Sequence, residues 1–157
     1  DWIMTGNHDT KPLWRIAEER QSSEWIHGRS RLLADRLVPE PERRGTFAAR
    51  IASDYRLFCE AMFAELFLGP ARNVSVFFVD LLGEKQLYNQ PGTVGEQNWT
   101  LRLPSDYRTV YSQRLRRGEA LDMKRVLALA LEAKAGILGS EAESLARRLR
   151  RGARDDR

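Results

Sequence analysis

Three consecutive side chains, Asn7, His8 and Asp9, are the group in this chain best equipped for chemistry. They follow the apolar run at residues 2–5 directly after Gly6. A short apolar run that breaks at a glycine reads as a strand with a sharp exit. In α/β proteins the reactive residues gather at such exits, at the carboxyl edge of the sheet. Asp80 stands at a second one, closing the nearly continuous β-branched and aromatic run at 73–80. Two chemistries place Asn, His and Asp together in this way. One uses Asn and His to hold metal ions, and the other uses His and Asp to grip a sugar ring. A structural role, such as that of a satisfied hydrogen-bonded histidine, fits the same pair.

The metal alternative needs more ligands. Gly-Asn-His-Asp after a strand resembles the Asn-His motif of calcineurin-like metallophosphoesterases, in which two metal ions clamp both oxygens of an in-line phosphoryl displacement. That pattern calls for further histidines downstream. The chain contains two histidines, and the second, His27, falls inside a helical stretch next to Gly28 with no Gly-His-x-His around it. No metal and no cofactor are therefore expected.

The sugar alternative needs a carboxylate and an imidazole that hold vicinal hydroxyls as the ring flattens toward an oxocarbenium-like transition state. His8 and Asp9 suit this. A second block is decisive: DLLG at 80–83, YNQPGT at 88–93 and NWTLR at 98–102. In this order and spacing, together with Thr5-Gly-Asn-His-Asp9, these motifs closely resemble those of the 4-α-glucanotransferases called amylomaltase or disproportionating enzyme. The resemblance spans residues 3–103.

The resemblance implies a (β/α)8 barrel and a retaining double displacement on α-1,4-glucans, with a second sugar rather than water accepting the glycosyl group. By that resemblance Asp9 matches the carboxylate that stabilises the transition state, and His8 its sugar-binding neighbour. Asn7, Asn89, Pro91, Gly92 and Trp99 match the wall of the substrate groove, with Trp99 either a stacking surface or an anchor of the loop. Maltooligosaccharides or α-glucans are the implied partners. Two departures stand out. The family form continues after His-Asp with Asn-Asp-Thr, whereas here Thr10-Lys11-Pro12 follows, and no family motif is found after about Gly118. The nucleophile and the acid/base lie on earlier strands in the family. Retaining chemistry needs two carboxyls about 5 Å apart, and no candidate for that pair is found in this chain. The expectation is a C-terminal portion of the enzyme, with residues 1–118 in the barrel and 119–157 forming C-terminal helices. An α-amylase-type hydrolase, which also uses Asn-His-Asp, is the nearest alternative.

The elements that must position these residues are read from periodicity. Buried strands are expected at 2–5 and 73–80, the latter covered on both faces. A helix is expected over about 13–37, with Trp14, Ala17, Gln21 and Trp25 on one side and Gly28 as a weak point. Pro39-Glu-Pro41 ends it. Residues 45–68 carry the clearest apolar stripe. A polar loop fills 83–104, long enough to suggest a functional role. Helices follow at about 106–117 and 122–138, with Asp122 as N-cap and Gly139 closing in a left-handed turn. Ser140 and Glu143 form a capping-box spacing for a last helix to about Arg151. The fold class is α/β and helix-rich.

Bulk properties set the remaining bounds. The 157 residues suffice for one core. No apolar run is long enough to span a membrane. No leader follows Asp1, and the single cysteine, Cys59, fits a reducing compartment as a buried thiol, so a cytoplasmic location is expected. The Asn-x-Ser/Thr patterns at Asn73 and Asn98 are then chance matches. The net charge of +4 comes largely from Arg147, Arg148, Arg150, Arg151 and Arg154. That run lacks interleaved aromatic residues, so a solvated helix face is expected over a nucleic-acid-binding module, the remaining alternative.

Overall fold

The computed structural model describes residues 1–155. Among these the chain is helix-rich, with nine helices and a two-stranded parallel sheet of β1 (Trp2–Ile3) and β2 (Asn73–Val74); β1 is shorter than the buried strand expected at 2–5, and its Trp2 is exposed. Trp2 pairs with Asn73 and Ile3 with Val74, and the Ser75 amide extends the ladder to the Ile3 carbonyl at 2.9 Å. Parallel strands leave a sheet in the same direction. The segments following β1 and β2 are therefore delivered to one end of the molecule.

The helix expected over 13–37 is two helices, α1 (Leu13–Glu19) and α2 (Glu24–Leu37). The break falls at residues 20–23 and not at Gly28, which lies inside α2. Ser22 has φ 67°, and the Ser23 hydroxyl caps α2 by accepting the Ile26 amide at 3.3 Å. Serine competes for backbone donors this way wherever a helix can begin. Gln21 is exposed in the break and Trp25 lies 40% exposed, so neither shares the buried side of Trp14 and Ala17. Pro39 and Pro41 do end α2, and Pro41 also opens the next helix from the first-turn position its missing N–H allows.

The stripe expected over 45–68 likewise divides, into α3 (Pro41–Ser53) and α4 (Tyr55–Leu66). Asp54 is the hinge: its backbone is extended, and its carboxylate accepts the Arg56 amide at 2.9 Å. α4 is the centre of the fold. Phe58, Cys59, Ala61, Phe63 and Ala64 are all fully buried, so the helix is covered nearly all round. Two carboxylates go inside with them, each met by guanidinium groups as burial of a charge requires. Glu65 is held by Arg29 and by Arg36, the latter at 2.8 Å, and Glu60 by Arg125 at 3.0 Å.

The strand expected over 73–80 pairs only at Asn73 and Val74, and residues 74–78 are half-buried rather than covered on both faces. β1 offers it two residues of partner. Past that point the backbone donors turn to local acceptors and wind α5 (Phe78–Leu81), with the Leu81 amide on the Phe77 carbonyl at 3.0 Å.

The C-terminal third holds α6 (Tyr107–Arg117), α7 (Met123–Ala133), α8 (Ala135–Leu138) and α9 (Ser140–Asp155). Gly118 closes α6 in the left-handed conformation below three arginines of the last turn. Asp122 caps α7 as expected, accepting the Arg125 amide at 3.1 Å. The helix expected to reach 138 stops at Ala133 and resumes as α8. Gly139 has the positive φ expected of it, 79°, but its ψ of −171° is extended and not that of a left-handed helical turn. α9 includes Ser140 as its first residue, one place later in the helix than a capping box would set it.

One cluster joins these helices. Trp14, Ile26, Leu33, Ile51, Phe58 and Phe63 pack with Leu121, Val126 and Ala130, so the core runs from α1 through α4 into α7. No described helix is long and apolar enough to cross a membrane.

Candidate functional site

The turn carrying Asn7, His8 and Asp9 joins β1 to α1 and is held from within. Asn7 Oδ1 accepts the Asp9 amide at 2.9 Å, and Thr10 Oγ1 accepts the Asn7 amide while donating to the Asn7 carbonyl, both at 2.9 Å. Asn and Thr favour such local bonds over regular structure. A Cβ at Gly6 would fall against Thr10 Oγ1, which explains the glycine by close approach. The carboxamide oxygen of Asn7 thus serves the turn itself.

The second half comes from the loop after α5. Asn89 is 9% exposed, and its Nδ2 donates to Asp9 Oδ1 at 2.6 Å across eighty positions of sequence. The other oxygen of Asp9 stands 3.3 Å from His8 Nε2. Above them the His8 ring lies 5.0 Å from Trp99, tilted by 43°. Asp9, His8, Asn89 and Trp99 therefore form one group, with the side chains of His8 and Asp9 each nearly half exposed.

The loop is shaped to deliver Asn89 and Trp99 together. Pro91 and Gly92 occupy the middle of a turn closed by the Thr93 amide on the Gln90 carbonyl at 3.2 Å, and Gly92 has the φ of 75° that such a turn demands. The Asn98 side chain braces the turn from inside, accepting the Gln90 amide and donating to Thr93, each at 3.1 Å. The Trp99 amide then closes the neck on the Tyr88 carbonyl at 3.0 Å. Trp99 itself takes φ 63°, a left-handed conformation that is uncommon for a bulky residue and marks a constrained site. Its indole meets Tyr88 edge-on at 5.5 Å, yet it remains 49% exposed. Anchoring the loop and offering a surface are both open to it. Pro91 and Gly92 are exposed and contribute loop shape.

Asp80, the other strand-end carboxylate, is placed differently. It is buried, with Oδ1 accepting the Leu13 amide at 2.8 Å and Oδ2 facing the Thr5 hydroxyl at 3.4 Å, while its carbonyl accepts Trp14 Nε1 at 2.9 Å. It pins both ends of the segment that carries His8 and Asp9. Burial pushes its carboxyl above the ordinary aspartate value, and the bonds from Leu13 and Thr5 pull it back only in part. The folded chain then holds that proton more tightly than the unfolded chain. The associated stability is complete below the ordinary aspartate range and is lost as pH rises through the raised value. Asp80→Asn keeps an acceptor for Leu13 and cannot ionise. Its melting temperature relative to the parent chain should rise between about pH 3 and pH 7; a difference that stays flat would count against this.

Sequence reasoning missed the aromatic support beneath the site. Tyr88 touches Phe77, Phe78 and Trp99, so an unbroken run of rings leads from α5 to His8. The signal was present in the motif YNQPGT, where a large ring directly precedes Asn89. Cys59 is buried as expected, and burial drives its thiol well above the ordinary value. His27 is exposed on α2. Among the described residues no cluster of three or more His, Cys, Asp or Glu is placed to hold a metal ion.

Comparison with protein-family models, with curated proteins and with solved structures finds no match to this chain.

Proposed function

We propose that this chain forms the last two strands and the C-terminal helices of the (β/α)8 barrel of a cytoplasmic 4-α-glucanotransferase, and that His8 and Asp9 are its sugar-gripping corner. The observation carrying the proposal is the bond from Asn89 Nδ2 to Asp9 Oδ1. It joins the two blocks of motif that resemble this family, although nothing in their sequence separation requires them to meet. The parallel pairing of β1 and β2 supports the same reading, because barrel strands are parallel and their active residues share one end.

In this role the carboxylate of Asp9, steered by Asn89, accepts hydrogen bonds from ring hydroxyls of the glucosyl unit being transferred. These bonds strengthen as the ring flattens and positive charge grows at the anomeric carbon. His8 donates to a hydroxyl of the same ring. Trp99 offers an apolar face beside them, as sugar rings require. The attacking carboxylate and the proton donor belong to other strands of the barrel. Asp80 replaces neither, because its oxygens are buried and bonded to Leu13 and Thr5.

The 157 residues on their own should not disproportionate maltotriose. Glucose and longer maltodextrins should both be absent after incubation, and their appearance would overturn the assignment of the missing carboxyls to other strands. In the full-length enzyme the products distinguish transfer from hydrolysis. Redistribution of chain length at a constant number of reducing ends supports transfer, and a rising number of reducing ends would identify an α-amylase-type hydrolase instead.

A further inference from the structure

On the helical side of the molecule a cavity of about 470 Å³ opens between α3, α4, α7 and α9. This falls in the size range of small-molecule sites, roughly 300–1,000 Å³. It shares no residue with the His8–Asp9 group. Its floor is apolar: Ile51 is buried, and Phe47, Leu57 and Leu129 are only partly covered by the core, so the cavity receives the rest of their surface.

The charge around this floor is nearly balanced. Four glutamates line the cavity and each has an arginine: Glu40 with Arg43 at 3.4 Å, Glu60 with Arg125 at 3.0 Å, Glu143 with Arg147 at 3.6 Å and Glu132 with Arg150 at 2.5 Å. A fifth arginine remains. Arg50 is exposed on the cavity wall, and its guanidinium has no hydrogen-bond or ion-pair partner among the described residues. It also lines the adjoining smaller cavity of about 230 Å³ toward Gly118, and so stands where the two spaces meet.

We propose that this cavity binds a single-chain amphipathic carboxylate, with the hydrocarbon on Phe47, Ile51, Leu57 and Leu129 and the head group on Arg50. One planar guanidinium matches one carboxylate through paired N–H···O bonds. A dianionic phosphate head would need a second uncommitted cation, and the other four arginines are engaged by glutamates. A polar sugar would leave the apolar floor uncovered.

The test is titration calorimetry on the whole chain with decanoate below its micellar concentration. Decanol serves as the tail without charge and acetate as the head without tail. Decanoate should bind saturably at one site, and acetate should not bind. Arg50→Gln should weaken decanoate about tenfold, the scale of one charge-assisted pair, and should leave decanol unchanged. Leu129→Trp, which fills the floor, should abolish binding of both while circular dichroism remains that of the parent. Decanol binding as tightly as decanoate would overturn the proposal, as would full affinity in Arg50→Gln or an absence of saturable binding.

Discussion

In the full-length 4-α-glucanotransferase proposed here, Asp9→Ala should lower turnover by a factor of about 10²–10³ or more, the usual scale for removing a preorganised group aimed at developing charge. The effect should fall on kcat rather than KM, because the interaction is strongest in the transition state. Asp9→Asn tests the charge separately from the shape. It still offers an oxygen to Asn89 but cannot offset a cationic ring, and its loss should approach that of the alanine variant. Asn89→Ala leaves the charge in place and frees its direction, so it should lose less. None of the three should disturb folding much, since the Asp9 side chain is nearly half exposed and its one tertiary hydrogen bond is worth about 1 kcal/mol. Turnover and chain-length distribution on maltooligosaccharides check this, with melting temperature as the control. An undiminished rate in Asp9→Ala would remove Asp9 from the mechanism.

The largest effect on stability is expected at Phe58. It is fully buried in α4, and its ring meets Trp25 at 5.8 Å. Phe58→Ala removes the transfer free energy of a buried ring and leaves a void that packed helices close only in part, a cost of about 3–5 kcal/mol. A domain holds about 5–15 kcal/mol in total, so up to half or more of the fold's margin goes with one side chain. Thermal melting by circular dichroism should show a midpoint lower by roughly 6–20 °C for a chain of this size. A loss of about 1 kcal/mol or less, the level of an ordinary partly exposed position, would mean that α4 is not the centre of the core.

Some helix ends that residue types mark were legible in the sequence, although α7 stops at Ala133 and not at 138. Asp122 capping α7 and Gly118 closing α6 are local events, decided by side chains next to the helix they bound. The breaks at Ser23 and Asp54 were hidden by the apolar periodicity. α1 and α2, like α3 and α4, face the same core, so the stripe continues across the cap. The capping residues were in view, but periodicity alone gives them no weight. Residues 75–80 failed for a different reason. Their β-branched and aromatic character favours a strand, yet a strand needs a neighbour along its whole length, and the pairing stops at Val74. At the site, Asn7, His8, Asp9, Asn89 and Trp99 were each singled out in advance. Their motifs gave no sign that the Asn89 amide reaches Asp9. That contact depends on a tertiary approach between segments eighty positions apart in the chain.

The neck formed by the Trp99 amide on the Tyr88 carbonyl makes residues 88–99 a self-contained Ω-shaped loop. Its internal bonds among Gln90, Thr93 and Asn98 keep the base in shape, and its tip at Val94 is fully exposed and supports nothing else. Length can therefore change at the tip without altering the separation of Asn89 and Trp99 at the base. Such a loop is a natural place for variation among related chains and a ready graft point for an engineer, because its outer rim can be rewritten while the hold on Asp9 stays as it is.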